Sequence, residues 1–174
     1  TVGYQRVGSS WNAVDGSRTG FSFSSGNCPT YGKTTSQLQS EGYIDSTGNL
    51  VAAHDAATAH LGASWRMPTD AEFSAMIHNC DTELTTINGV GGRLVKGRGA
   101  YASRSIFLPA AGYGDHSNLY SAGSDGGYWS STPSSGHSYD AWYLFFFISG
   151  GFYGNYGYGR NYGRSVRPVR GFAQ

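Results

Sequence analysis

The apolar run Ala141–Ile148 constrains the fold of this chain more than any other segment of the sequence. It is too short to cross a bilayer, which takes about 20 apolar residues, and its length favours a β-strand. Alternate residues of a strand face opposite sides, so both faces of this strand are apolar. The first face carries Trp142, Leu144, Phe146 and Ile148. The second face carries Ala141, Tyr143, Phe145 and Phe147.

The two faces of this strand compete for a limited core. A chain of 174 residues forms few layers, and burying both faces would use most of its other apolar residues. We therefore expect the Trp142 face to lie in the core and the Tyr143 face to be at least partly open. A central strand covered on both sides is the alternative. A contiguous exposed apolar patch usually marks an interaction site.

A glycine- and tyrosine-rich tract, residues 150–163, follows the strand. Tracts of this kind occur in disordered chains and as stacking surfaces for single-stranded nucleic acid. Neither is favoured here, because the tract is short and residues 164–169 have the pattern of a strand that returns to the core. The formal net charge of +1 also gives no field that would attract nucleic acid or an anionic membrane.

The overall composition is typical of binding loops. Charged residues make up 13% of the chain, against about 25% in an average domain, and there are 13 Tyr and 27 Gly. Tyr offers a large contact area at low entropic cost, and Ser, Gly and Asn offer adaptable hydrogen bonds. An ordinary loop-rich domain has a similar composition, so composition alone leaves the function open. The length fits a single domain over residues 1–174.

Two helices are predicted from local signals. Residues 49–61 place apolar side chains on one face, and Gly62 is suited to end that helix. The second helix begins at Thr69, which is spaced to form a capping box with Glu72. The apolar positions after this box follow helical spacing and are expected to pack on a core. They are Phe73, Met76, Ile77 and Cys80.

The rest of the chain is predicted to be rich in strands and loops. Glycine-rich turns are expected over residues 89–99, and a loop is expected over residues 112–127. Strands are expected over residues 2–7, 21–23, 106–109, 128–131, 141–148 and 165–169. Two helices followed by a small, mostly antiparallel, loop-rich β region place the chain in the α+β class. Cys28 and Cys80 are compatible with one disulfide or with two reduced, buried thiols.

Candidate catalytic and metal-binding residues are scattered along the chain. A Ser/His/Asp triad built on Asp115 with His116 or His137 has no nucleophile elbow to support it. The five histidines do not cluster, which disfavours a zinc site. Asp115, Asn118 and Asp125 are interpreted as solvated loop residues rather than calcium ligands. The sequence therefore predicts no catalytic site, no metal and no cofactor.

Several separate motifs follow one another along the chain. They are Asp55-Ala56-Ala57, Trp65-Arg66-Met67-Pro68-Thr69 with Glu72, Cys80, Asn88-Gly89-Val90, Ile106–Gly112, Gly127–Thr132, Ala141 with Leu144 and Phe146, and Tyr162–Val169. In this order they resemble the Fibrobacter succinogenes major paralogous domain. That family is related to the formylglycine-generating-enzyme version of the C-type lectin fold. The resemblance covers roughly residues 47–170, and residues 1–46 match poorly.

The resemblance implies a C-type-lectin-like fold whose N- and C-terminal strands pair. It also implies an extracellular or cell-surface setting on a bacterium, or a phage virion. The formylglycine-generating enzymes act through paired cysteines in the C-terminal half. No cysteine follows Cys80, so that activity is not carried over.

Some similar domains are variable proteins of diversity-generating retroelements. In those systems, codons mutated at adenines alter ligand-facing residues of the C-terminal segment. Such codons do not give Lys, Gln, Glu, Met or Trp. Residues 128–170 contain no Lys, Gln, Glu or Met, whereas residues 1–127 contain ten of them.

The resemblance and the strand pattern together predict a non-catalytic protein that binds a protein or other surface ligand, with residues 128–170 as the variable region. The alternative is an undiversified adhesin or structural module of a bacterial envelope or phage particle. Neither nucleic acid binding nor direct insertion into a membrane is expected. The predicted ligand-binding residues are His137, Tyr139, Tyr143, Phe145, Phe147, Phe152, Tyr153, Asn155, Tyr156, Tyr158, Asn161 and Tyr162.

Overall fold

The computed structural model describes residues 4–7, 9–13 and 20–170, which form three α-helices and twelve β-strands. The helices are α1 (Thr35–Ser40), α2 (Ala56–Leu61) and α3 (Asp70–Asn79). The strands are β1 (Tyr4–Val7), β2 (Ser10–Ala13), β3 (Trp65–Arg66), β4 (Asp81–Ile87), β5 (Val90–Lys96), β6 (Ser105–Pro109), β7 (Tyr113–Asp115), β8 (Asn118–Tyr120), β9 (Asp125–Pro133), β10 (Asp140–Phe147), β11 (Phe152–Gly159) and β12 (Val169–Arg170).

The described part of the chain is predominantly β. Strand content is 41% and helix content 18%, and the strands form several small antiparallel sheets. The predicted α+β class with two helices is therefore wrong, and the C-type-lectin-like fold is not confirmed. The error lies in the glycine-rich segments. Residues 89–99, expected to be turns, contain β5, and residues 112–127, expected to be a loop, contain the β7–β8 hairpin and the start of β9.

Gly92 shows why glycine does not break β5. This residue pairs with Pro109 of β6, and a Cβ atom added to it would lie 2.6 Å from the Phe107 ring. The missing side chain therefore makes room for an aromatic ring on the neighbouring strand. Glycine inside a strand marks such close approaches as often as it marks a turn, and the sequence alone does not separate the two.

Helix α3 confirms the strongest local prediction. The Thr69 hydroxyl accepts a hydrogen bond from the Glu72 N–H at 3.2 Å, and Glu72 Oε2 accepts one from the Thr69 N–H at 2.8 Å, which completes the capping box. Arg66 donates two further hydrogen bonds to the Glu72 carboxylate and holds its pKa below the usual value. Phe73 is buried, and Met76, Ile77 and Cys80 pack against the same core cluster.

The other predicted helix is shorter than expected. Helix α2 begins at Ala56 because one carboxylate oxygen of Asp55 caps it, accepting hydrogen bonds from the Ala57 N–H at 2.8 Å and from the N–H that follows. The other oxygen accepts from the Met67 N–H at 2.8 Å, which ties the helix to the end of β3. Gly62 ends the helix with φ of 89°, as predicted. Helix α1 is not among the sequence predictions.

The sheet β11–β10–β9 carries the core on the face that packs against α3. Leu144 and Phe146 of β10 are fully buried there, as expected from strand alternation. The sheet β4–β5–β6 adds Val95 and Leu108 to the same cluster. Ile148, expected on the core face, is instead 42% exposed, because β10 ends one residue before it.

The predictions for the chain ends are met only in part. Of the predicted strand 2–7, residues 2 and 3 lie outside the described residues and the remainder forms β1. Strand β1 pairs with β2, and β12 pairs with β3, so the described residues do not show the pairing of N- and C-terminal strands that the resemblance implies. In the predicted strand 21–23, Phe23 forms an isolated bridge with His116 and is not part of one of the named strands. Cys28 and Cys80 are both free thiols.

Candidate ligand-binding surface

The outer face of β10 and β11 carries a contiguous set of rings, here called the aromatic surface. It consists of Phe145, Phe147, Tyr153, Tyr156 and Tyr158. In the β10–β11 pair, Tyr143 lies opposite Tyr156 and Phe145 lies opposite Tyr153. Strand β11 therefore advances three residues while β10 advances two, which is a β-bulge. Tyr153 and Tyr156 would face opposite sides of a regular strand, and the bulge brings both onto this face.

Four rings of the aromatic surface contact one another, and Tyr158 is joined to them through the ring of Tyr143 beneath. Phe145 lies 4.6 Å from Phe147 and stacks on Tyr156 at 5.8 Å, measured between ring centroids. Tyr153 lies 6.4 Å from both Phe145 and Tyr156. The exposed fractions are 41% for Phe147, 46% for Tyr153, 51% for Tyr156 and 38% for Tyr158. Half-exposed rings of this kind form a patch that is apolar and accessible.

Tyr143 lies beneath this patch, not on it. It is 2% exposed, so the expectation that its ring is open to a ligand is wrong. The rings of Trp129 and Tyr156 meet it edge-on at 5.5 and 5.9 Å, and Phe145 lies 5.6 Å away. Burial raises the pKa of the Tyr143 hydroxyl to about 12, although the nearby charge of Arg164 lowers it. Tyr143 is therefore a support for the exposed rings.

Arg164 closes the space under the rings. Its guanidinium carbon lies 4.0 Å from the Tyr143 ring centroid, 4.8 Å from Tyr158 and 5.4 Å from Trp129, which are cation–π contacts. Burial lowers the pKa of this arginine. Gly127 of β9 leaves room for it, because a Cβ atom there would lie 2.5 Å from Arg164 Nη1.

The surface continues beyond β11 through further rings. Tyr162 packs on Tyr158 at 4.9 Å and meets Tyr113 edge-on at 5.8 Å. Tyr113 in turn stacks on Tyr120 at 5.7 Å, and Tyr120 is 44% exposed. The β7–β8 hairpin thus extends the aromatic surface with residues that lie before the predicted variable region.

The remaining predicted residues have other surroundings. Phe152 points to the core, pairs with Phe146 and packs against the core cluster, so its expected exposure to a ligand is wrong. Tyr139 is exposed but packs on Tyr31 at 4.9 Å, and His137 is exposed in the turn before β10. Asn161 is half-buried. The side chain of Asn155 lies outside the described residues.

Sequence reasoning missed Trp129, Arg164 and the hairpin tyrosines as parts of this region. The pattern of residues 164–169 predicts a strand that returns to the core, but nothing in the sequence places Arg164 under β10. An isolated bridge between Tyr128 and Ser165 brings the segment that contains Arg164 back beside β9. Alternation on β10 correctly puts Phe145 and Phe147 on one face, but it does not show that the segment after β11 covers Tyr143.

The residues considered for chemistry are placed as follows. His116 Nδ1 lies 2.9 Å from Asp115 Oδ1 in the β7–β8 hairpin, and Asn118 pairs with Asp115 across the turn. Among the described residues, no three His, Cys, Asp or Glu side chains form a group suited to a metal ion. In the same residues, no helix is long and apolar enough to span a bilayer.

Comparison with known proteins gives one match. A family model for a domain of unknown function, DUF8237, matches residues 98–169, and the chain is similar to that family over this part. No curated protein and no solved structure matches the chain. The matched part runs from the residues just before β6 to β12, and it includes the aromatic surface and the arginine beneath it.

Proposed function

We propose that this chain is a non-catalytic binding protein that holds a protein or other surface ligand through the aromatic surface. The observation that carries the proposal is the set of four large rings, each between 38% and 51% exposed, that lie on one face of a sheet whose other face is core. Patches of this kind on soluble proteins are interaction sites more often than not. Tyr is also one of the side chains in which binding energy concentrates.

The structure of the sheet favours binding over ordinary surface packing. Leu144 and Phe146 have no exposed surface, and they hold β10 on α3. Tyr143 and Arg164 fill the space directly beneath the exposed rings. The rings therefore lose little freedom when a ligand covers them, which lowers the entropic cost of binding.

Diversification of this surface by a retroelement is part of the proposal. Residues 128–170 lack Lys, Gln, Glu and Met, and Phe145 and Phe147 alternate along β10 with the core residues Leu144 and Phe146. We place the protein outside the cell, on a bacterial surface or a phage particle. Sequencing the locus tests this. A near-identical repeat that differs only at adenines, beside a reverse-transcriptase gene, is expected, and its absence would favour an undiversified module.

The binding surface is tested with a triple variant, Phe147→Ser/Tyr153→Ser/Tyr156→Ser. A phage-displayed random peptide library is panned on the wild-type protein, and each enriched clone is then measured against the variant. We expect enriched peptides to lose at least tenfold in affinity, because truncation of an aromatic hot spot costs about 2 kcal/mol or more. The melting temperature should change little, since the three side chains are exposed.

The matched control is Tyr101→Ser. Tyr101 is 70% exposed and lies in a short 3-10 helix outside the aromatic surface. Peptides should bind this control as tightly as the wild type. Clones that bind the triple variant and the wild type equally would contradict the proposal. Loss of a wild-type oligomer in the triple variant, measured by analytical ultracentrifugation, would instead support a structural module that packs on its neighbours.

A further inference from the structure

A concave site lies outside the five rings of the aromatic surface, and it is lined in part by Arg164, Trp129 and Tyr162 of the same region. It is a cavity of about 430 Å³, formed by residues between 21 and 67 on one side and between 111 and 166 on the other. Most of its lining is apolar and includes Phe21, Phe23, Leu38, Ile44, Met67 and Trp129. Small-molecule sites have this size and character, with a few polar groups that fix the ligand.

Arg160 is the first polar group in the lining. Its Nε donates to the Asp140 carbonyl at 2.8 Å, and its Nη1 donates to the Thr30 and Lys33 carbonyls at 2.9 and 3.1 Å. These bonds fix the arginine to the loop that forms one wall of the cavity. Its Nη2 is buried and has no hydrogen-bond partner among the described residues. A buried donor without an acceptor costs free energy that a suitable ligand atom would return.

Arg164 is the second polar group in the lining of the cavity. It lines the same cavity, and its Nε is also buried without a hydrogen-bond partner in the described part of the chain. Its positive charge faces rings, and neither it nor Arg160 forms an ion pair with a carboxylate of the described residues. Two guanidinium groups without counter-ions therefore border one apolar cavity. Burial lowers the pKa of both arginines, in keeping with this lack of compensation.

We propose that this cavity binds a small organic anion, a carboxylate on an aromatic or branched apolar body. The carboxylate accepts hydrogen bonds from Arg160 and Arg164, because planar guanidinium donors match a carboxylate in geometry and charge. The apolar body packs against the apolar part of the lining. This inference does not depend on the proposed function, since none of the five rings of the aromatic surface lines the cavity.

The test uses naphthylacetate and its neutral amide, naphthylacetamide, as probes. The two have the same apolar body, so their comparison isolates the charge. We expect naphthylacetate to bind saturably in isothermal titration calorimetry and to raise the melting temperature, with the amide at least about tenfold weaker. Equal affinity for the two probes, or no saturable binding of the acid at millimolar concentration, would overturn the proposal.

Variants locate the site. Ala56 lines the cavity at the start of α2, so Ala56→Phe should fill part of the space and weaken naphthylacetate at least about tenfold. Ala59→Phe is the matched control, because Ala59 is exposed on the same helix and does not line the cavity. Equal binding by both variants would show that the probe sits elsewhere.

Arg160→Gln examines the charge directly. It should reduce the preference for acid over amide, since Arg164 remains, while the apolar body still binds, and an unchanged preference would overturn the role given to Arg160. Because this arginine also holds the loop at Thr30, its folding is checked by circular dichroism. If this variant fails to fold, the two probes and the Ala56→Phe and Ala59→Phe pair still decide the question.

Discussion

Replacing Tyr143 and Tyr156 separately by Ser tests which rings are structural and which are free. The two residues lie directly opposite each other in the β10–β11 pair, with ring centroids 5.9 Å apart, yet Tyr143 is 2% exposed and Tyr156 is 51% exposed. Removing a buried aromatic ring costs about 3–5 kcal/mol. A substitution at an exposed site usually stays within about 0.5 kcal/mol.

These values predict very different melting temperatures. For a chain of this length, 1 kcal/mol of destabilisation lowers the melting temperature by about 2–4 °C. Tyr143→Ser should therefore lower it by roughly 6–20 °C, and Tyr156→Ser by no more than roughly 2 °C. Tyr143→Phe, which keeps the ring, should remain close to wild type.

Thermal unfolding followed by circular dichroism, with urea denaturation at 25 °C as a second measurement, gives both values. A Tyr143→Ser protein as stable as Tyr156→Ser would refute the argument, because it would mean that the ring of Tyr143 does not fill the space under the surface. A large loss in both variants would show that Tyr156 is also core, and the proposed binding surface would fail with it.

Three further changes test the supports of the sheet and its helix. Gly126→Ala should lower the free energy of unfolding, measured by urea denaturation, by about 1–3 kcal/mol, because its methyl group would overlap the Phe146 ring. Gly136→Ala is the control and should leave that free energy unchanged, because no atom of the described residues, apart from its chain neighbours, lies within 4 Å of the added methyl group. Thr69→Ala should cost about 1 kcal/mol by removing the cap of α3, and no loss would mean that the cap is dispensable. The pKa of Tyr143 is raised from 10 to about 12, so the stability it gives below pH 10 should be lost between pH 10 and 12. The free energy of unfolding, measured at several pH values in this range, should fall less steeply with pH in Tyr143→Phe than in the wild type. An equal slope in the two proteins would contradict the assigned pKa.

Features fixed by neighbouring residues could be predicted from the sequence. The capping box of Thr69 and Glu72 and the spacing from Phe73 to Cys80 depend on contacts within one helical turn or two. Alternation likewise places Leu144 and Phe146 inside and Phe147 outside, because the period of a strand is a local property.

Features fixed by distant contacts could not be predicted. The burial of Tyr143 depends on Arg164, which follows it by 21 positions and reaches it only through the return of the chain beside β9. The bulge in β11 brings the side chains of Tyr153 and Tyr156 onto the same face of the sheet. The Gly- and Tyr-rich sequence of β11 is compatible with several pairing registers, so the position of the bulge could not be predicted from it. The fold class was wrong for a related reason, since Gly92 makes room for a ring on the next strand.

The position of Arg164 links the two proposed binding sites to one sheet. An uncompensated guanidinium in a core would normally be costly, but the faces of Tyr143, Tyr158 and Trp129 present negative π-charge toward it. The same group therefore props the exposed rings on one side and lends positive charge to the cavity on the other. Lysine would keep the charge but lose the planar stacking on the rings. Arg164→Lys should therefore lower the free energy of unfolding and weaken the binding of naphthylacetate in the cavity. Phe147→Ser should affect only the aromatic surface, and Ala56→Phe only the cavity, which is what makes the two proposals separable.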